Sequence, residues 1–157
     1  MADPSDTGSE VGDSDRQCAT SSGTADRTAV VERLYDDIPF HRRHDLEVLS
    51  VTPDRATVRL PFDPGLVGNP DLDVLHGGVV SAVVDLTGAA VFVGGREAYT
   101  PTIDLRVNYL EAAGRDPLYA TATVDRRGAG IGVASVEVES RDAVCATGTG
   151  VYKLTDD

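Results

Sequence analysis

The stretch Leu75–Gly95, LHGGVVSAVVDLTGAAVFVGG, is apolar on nearly every side of a helical wheel. Between Val79 and Val93 its one ionisable residue is Asp85. A helix of this kind is expected to be buried, with Gly94 and Gly95 closing it. Upstream, Val30, Val31, Leu34 and Tyr35 recur at helical spacing, so TAVVERLYDDIPF predicts a short helix that Pro39 ends. RATVRLPF alternates Ala56, Val58, Leu60 and Phe62 with Thr57, Arg59 and Pro61, the period of a strand, and DLEVLSV before it is its hairpin partner. FDPGLVGNPDLDV is dense in Pro, Gly, Asn and Asp and reads as a loop. After the apolar helix come YTPTIDLRVNYL, PLYATATVDR, GVASVEVES and AVCATGTGVYKL, four strand-like runs. GRDP, RRGAG and RDA separate them and have hairpin length. One helix followed by antiparallel strands predicts an α+β domain. Its sheet of five or six strands should wrap the helix from about His76 to Val93. The sheet covers one side of that helix, so a ligand or another subunit must cover the other.

The first 26 residues change the picture only at the edge. They are Asp, Ser, Gly and Thr with few apolar residues, too polar to order themselves. Residues 1–26 are therefore expected to be a disordered acidic tail, and residues 27–157 one domain. Charge excludes more. There are 26 Asp plus Glu against 14 Lys plus Arg, for a net charge of −12. Such a surface repels phosphate backbones, which argues against nucleic acid as a partner. Lys153 is the one lysine, and the composition is like that of proteins from salt-loving organisms, where ionic strength screens self-repulsion. No apolar run reaches the roughly 18–20 residues of a membrane span, so no membrane partner is expected. The opening MADPSDTGSE has no signal-peptide pattern. Cys18 and Cys145 match no metal spacing and no disulfide framework, which points to a cytoplasmic protein. Nothing in the sequence calls for a metal or a cofactor.

Asp85 carries the candidate chemistry. On the wheel Gly78, Ser81, Ala82, Asp85, Gly88 and Ala89 share one stripe, and all but Asp85 are small. Small residues let a ligand or a neighbouring helix come close. A carboxylate partly withdrawn from water there is a better base. The same Asp could instead be structural, hydrogen-bonded to Ser81 or paired with an arginine. Gly77 and Gly78 open the helix, where unpaired N–H groups and the positive dipole end can hold a developing negative oxygen. They could also be ordinary turn glycines. His76 could orient a substrate or simply fix the loop. Eight residues of helix span about 12 Å. Gly77 and Asp85 of one chain therefore cannot serve one carbonyl group, and if both are catalytic they come from different subunits.

HGG opening an apolar helix, Asp85 eight residues after Gly77, and the following strand TPTIDLRVNYL resemble the acyl-CoA thioesterases of the hotdog fold, of the phenylacetic-acid-degradation (PaaI-like) type. The ending ATGTGVYKL fits the same family, and the resemblance covers roughly Tyr35 to Leu154. It implies a curved antiparallel sheet around one long helix. It also implies hydrolysis of aryl- or medium-chain acyl-CoA, with Asp85 as general base or nucleophile and the Gly77 amide polarising the carbonyl from the other chain of a homodimer, alone or in a homotetramer. By the same resemblance Thr102 holds the attacking water or the carboxylate, and Asn69 contacts the reacting centre. The segment from Asn69 to His76 is one residue longer than the family's. Gly78 and Ser81, on the stripe of small residues, are expected to line the substrate. The turn Arg126-Arg127-Gly128 could meet the phosphates of coenzyme A or be a solvated turn. His41-Arg42-Arg43-His44 reads as surface.

Two other functions stand beside hydrolysis. A hotdog hydratase or dehydratase usually needs a longer gap between histidine and carboxylate than the nine residues from His76 to Asp85. A non-catalytic acyl-CoA-binding module gains nothing from a desolvated carboxylate.

Overall fold

The computed structural model describes residues 19–96 and 98–154, with side chains from Asp26 onward. Helix α1 spans Ala19–Asp36, and a short α2 spans Pro39–Arg43. Strands β1 (Glu47–Val51) and β2 (Arg55–Leu60) form the first hairpin. A two-stranded ribbon, β3 (Val67–Asn69) with β4 (Val74–Leu75), leads into the long helix α3, Gly77–Val93. Four strands follow: β5 (Thr102–Tyr109), β6 (Leu118–Arg127), β7 (Ile131–Ser140) and β8 (Ala143–Lys153). Six of the eight make one antiparallel sheet in the order β1-β2-β6-β7-β8-β5. The chain is thus the α+β hotdog arrangement that the pattern and the resemblance led us to expect.

The sheet closes on α3 because its inner positions are small where the helix is bulky. Leu118, Ala120 and Ala122 on β6, and Ala134, Val136 and Val138 on β7, are buried at every second residue. On β8 the inward positions include Gly148 and Gly150. A Cβ at Gly148 would strike the Val84 side chain, and one at Gly150 would strike Tyr152. Gly148 lets α3 settle onto the strand, and Gly150 makes room for Tyr152, whose hydroxyl reaches the α3 backbone. Val83, Val84, Val91 and Phe92 of α3 are closed to solvent against this surface.

Three local expectations change. The helix expected from about Thr28 starts at Ala19 and so takes in residues assigned to the tail; residues 1–18 lie outside the described part. Helix extension is cooperative, so once Val30 and Val31 are docked, adding polar turns costs little. Pro39 does not end α1, which stops at Asp36; it opens α2 at the first helical turn, where its missing N–H is harmless. Gly94 and Gly95 do follow α3, but Gly94 keeps helical φ and ψ, so no left-handed cap forms. Gly94 is needed for space: a Cβ there would lie 2.8 Å from Val51.

The turn between β7 and β8 is a two-residue loop. Arg141 and Asp142 both have positive φ, as a type I′ hairpin requires. An ion pair from Arg141 to Asp116 ties it to the neighbouring turn.

Candidate active site

α3 begins at His76, whose side chain caps it. The Gly78 amide donates to His76 Nδ1 at 2.9 Å, and the Val79 amide to the His76 carbonyl at 2.9 Å. His76 is held in turn by its own amide, which donates to the Leu66 carbonyl at 2.9 Å, and by Gly68 packed against it. A Cβ at Gly68 would stand 2.6 Å from the His76 Cα. Among the described residues no acceptor takes the Gly77 amide. It is the first amide of the helix, one of those that have no acceptor within the helix.

Tyr109, at the end of β5, reaches this turn. Its hydroxyl donates to the Gly77 carbonyl at 3.0 Å and also bonds the Ser81 hydroxyl. A cleft of about 280 Å³ opens beside it, lined by Val74, Leu75, Gly77, Val80, Tyr109 and Leu110 among others.

Asp85 lies half-buried at mid-helix. Thr102, the first residue of β5, donates its hydroxyl to Asp85 Oδ1 at 2.6 Å. Ser81 is not its partner, and among the described residues no arginine pairs with it. The helix backbone at this point is clamped by two tyrosines. Tyr152 donates to the Asp85 carbonyl at 3.0 Å, and Tyr35 donates to the Leu86 carbonyl. Burial, with a smaller push from the Asp85 charge, raises both phenols far above their usual range. Both therefore stay neutral donors. His41 also feels Asp85: burial lowers its pKa, and the Asp85 charge pulls the other way. Arg42 and Arg43 are exposed, as the sequence implied for this stretch, while the half-buried His41 and His44 line a small pocket of about 10 Å³ with Ala82, Val83 and Leu86.

The remaining expected residues are placed as follows. Gly78 is an exposed residue of the first turn. Asn69 is exposed and accepts from the Asp71 amide at 3.0 Å within its own loop. Gly88 leaves the small-residue stripe, being buried against the Tyr152 hydroxyl. Arg127 is occupied: it donates to the Pro53 carbonyl at 2.6 Å and lies over the Phe92 ring at 4.8 Å. Burial lowers its pKa, aided by Arg27 and opposed by Asp54. Gly128 makes the β6–β7 turn, its amide donating to the Ile131 carbonyl at 2.9 Å. Arg126 is exposed beside them, and its side chain makes no hydrogen bond or ion pair among the described residues. The structure thus joins Asp85 with Thr102 and, separately, Gly77 with His76, Gly78 and Ser81. It leaves Asn69 and the Arg126–Gly128 turn apart from both. The sequence pattern names Tyr35 only as a core position of its helix, and Tyr109 and Tyr152 only as members of strand-like runs; the hydroxyl contacts of all three come from the structure.

Comparison with known proteins agrees with this architecture. The model of the thioesterase superfamily matches residues 72–146, which include α3 and most of the strands after it. The medium/long-chain acyl-CoA thioesterase YigI of Salmonella typhimurium is 32% identical over 143 residues, covering 80% of this chain and 91% of its own length. A solved protein of Shewanella oneidensis related to the thioesterase superfamily is 29% identical with a TM-score of 0.69, covering 82% of this chain and 97% of the other. A thioesterase family protein of Silicibacter pomeroyi superposes with a TM-score of 0.74 at 23% identity, covering 81% and 96%, a likeness of fold. Among the described residues no helix is long and apolar enough to cross a membrane. With a relative this similar over most of both chains and the fold to match, the chain belongs to the thioesterase superfamily and is a thioester hydrolase of the hotdog fold.

Proposed function

We propose that the protein hydrolyses acyl-CoA thioesters, with medium-chain aliphatic acyl groups preferred, in active sites shared between two chains. The observation that carries this reading is the Asp85 carboxylate. One of its oxygens is held by Thr102 at 2.6 Å, and the other has no hydrogen-bond partner among the described residues. A carboxylate oriented on one side and open on the other is equipped to take a proton from water or to attack a carbonyl. The Gly77 amide is similarly open and points out of a helix N-terminus, where a developing oxyanion is stabilised. About 12 Å of helix separates the two, so each Asp85 works with Gly77 of the partner subunit. Asp85 draws a proton from water as the water oxygen bonds to the thioester carbon. The carbonyl oxygen becomes negative against the amide. The C–S bond then breaks, the acid is released, and the CoA thiolate takes up a proton.

Two features support the dimer. β5 is an edge strand eight residues long, exposed along most of its length, with Ile103 at 56% and Tyr109 at 55% exposure. A long open edge of this kind is normally paired, and pairing with its own copy is isologous. The stripe of Ser81, Ala82, Asp85 and Ala89 on α3 also stays half-open in a single chain. The acyl preference is supported by the cleft of about 280 Å³ at Gly77, where Val74, Leu75, Val80 and Leu110 stand beside Tyr109 and Glu111, and by the relative named for medium and long chains. Arg126, exposed and without a partner among the described residues, is the candidate for the CoA phosphates.

The test is free-thiol release from short, medium, long and aryl acyl-CoAs. Hydrolysis peaking at medium chain length is expected; an aryl optimum would overturn the acyl preference, and no thiol release from any of them would overturn the function. The shared site is tested by mixing an Asp85→Asn chain with a Gly77→Pro chain, which has no amide to offer. Random re-pairing makes half the dimers hybrid, each with one intact site, so about a quarter of the native activity should return. A mixture as inactive as its components would show that the site lies within one chain.

A further inference from the structure

We propose that Tyr109 is a positioning residue for the Gly77 amide, acting through a relay of hydroxyls from Ser81 to Tyr109 to the Gly77 carbonyl. The proposal rests on the reading of that amide as the group that holds the thioester oxygen.

A glycine pair gives the first turn of α3 the widest backbone freedom of any dipeptide, and helix starts lack intrahelical acceptors for their amides. An oxyanion donor must nevertheless be aimed before the charge develops. His76 constrains one side of the turn by accepting from Gly78. Tyr109 constrains the other. Its hydroxyl has one proton, and that proton goes to the Gly77 carbonyl at 3.0 Å. In the bond between the two hydroxyls, Ser81 is therefore the donor and Tyr109 the acceptor. The Tyr109 ring also lies 3.5 Å from where a Gly77 Cβ would stand, so it backs the turn as well as bonding to it.

The location argues against a role in the core. Tyr109 is 55% exposed, lines the cleft together with Gly77, and among the described residues its hydroxyl bonds only to the first turns of α3. It stands at the opposite end of β5 from Thr102, which holds Asp85. One strand therefore sets both reacting ends of the helix, the base through its first residue and the amide through its last.

The experiment is Tyr109→Phe, which keeps the ring and removes the relay, assayed with an acyl-CoA that the wild type turns over. A fall in kcat of about 10-fold is expected, the scale of a small misalignment, with KM and melting temperature close to wild type. Ser81→Ala leaves the bond to Gly77 in place and should cost less, and nothing further when added to Tyr109→Phe. Wild-type kcat in Tyr109→Phe overturns the proposal. So does a loss carried by KM, or a lower melting temperature with normal turnover per folded chain. Should Tyr109→Phe fail to fold, Ser81→Ala decides: reduced kcat supports the relay and wild-type kcat overturns it. Thiol release abolished by Asp85→Asn but untouched by Tyr109→Phe sinks the relay alone. A wild type inactive on every acyl-CoA removes the parent reading and the relay with it.

Discussion

On the side of α3 that faces the sheet, Val83, Val84, Val91 and Phe92 are closed to solvent, and even Gly88 is pressed against Tyr152. On the other side Ser81, Ala82, Asp85 and Ala89 stay half-open. Both sides are made largely of residues that a hydropathy reading counts alike, with Asp85 and Ser81 the exceptions. What separates them is bulk. The sheet side fills space, and its partners are glycines and alanines that make room. The open side is small, and its polar groups, Asp85 and Ser81, are both tied to the edge strand β5. One side should therefore govern stability and the other activity.

Asp85→Asn should show the largest effect. The amide keeps the shape and can still accept from Thr102, but it is no base. We expect kcat to fall by about 10²-fold or more, the scale of general-base catalysis, with acyl-CoA affinity little changed. The melting temperature should hold or rise, since a half-buried charge is removed. A less stable variant with normal turnover per folded chain would make Asp85 structural and erase the distinction between the sides.

Phe92→Ala should do the reverse. The ring is closed to solvent, sits 5.5 Å from Tyr152 centroid to centroid, and lies beneath the Arg127 guanidinium at 4.8 Å. Truncating such a ring costs about 3–5 kcal/mol. Denaturant unfolding should show that loss, while the folded fraction turns over at the wild-type rate. A drop in turnover per folded chain matching that of Asp85→Asn would mean the two sides are not separable.

These two faces also mark how far the sequence could be read. α3, the strands after it and the β1–β2 hairpin were legible because each keeps one period over many residues. The family motif marks Thr102 as well, but leaves open whether it holds the attacking water or the carboxylate; the structure shows its hydroxyl on Asp85. Gly88 was misplaced for a geometric reason. A wheel says which residues are neighbours on a helix, and it does not say which of them the sheet will cover. The tyrosines were hidden for a related reason: Tyr35, Tyr109 and Tyr152 reach α3 from 28 to 67 residues away in the chain. No local pattern chooses such partners. The hydrogen bonds of Arg127 had no local signal either, because its acceptors, the Pro53 and Val91 carbonyls, are backbone groups distant in sequence.

Salt acts on both faces at once and so sharpens the comparison. With a net charge of −12 and one lysine, surface carboxylates repel one another. The Debye length falls from about 10 Å at 0.1 M to about 3 Å at 1 M. Melting temperature should therefore rise by several degrees as KCl goes from about 0.1 M to 1 M. Phe92→Ala should show the same rise from a lower start, because its lost contacts are apolar. A flat curve would remove the inference of adaptation to high salt and leave the chemistry of α3 untouched.

The smallest effect links the two faces through His41. Its ring lies against Tyr35, at 4.3 Å between centroids, and its Nδ1 is buried without a hydrogen-bond partner among the described residues. Burial lowers its pKa from the ordinary value near 6.5, and the Asp85 charge works against that fall. The folded protein thus binds this proton less readily than the unfolded chain. The stability from neutral His41 is fully present above about pH 6.5 and is lost as pH falls from there through the lower folded pKa. The melting temperature should therefore fall between pH 7.5 and 5.5, a range in which solvent-exposed carboxylates hardly titrate. His41→Gln, which cannot gain the charge, should reduce that slope. Asp85→Asn removes the opposing charge, so it should push the His41 pKa lower and carry the loss further into acid. If wild type and His41→Gln lose stability in parallel, another group carries the pH dependence. If Asp85→Asn leaves the curve in place, the open face of α3 does not reach His41.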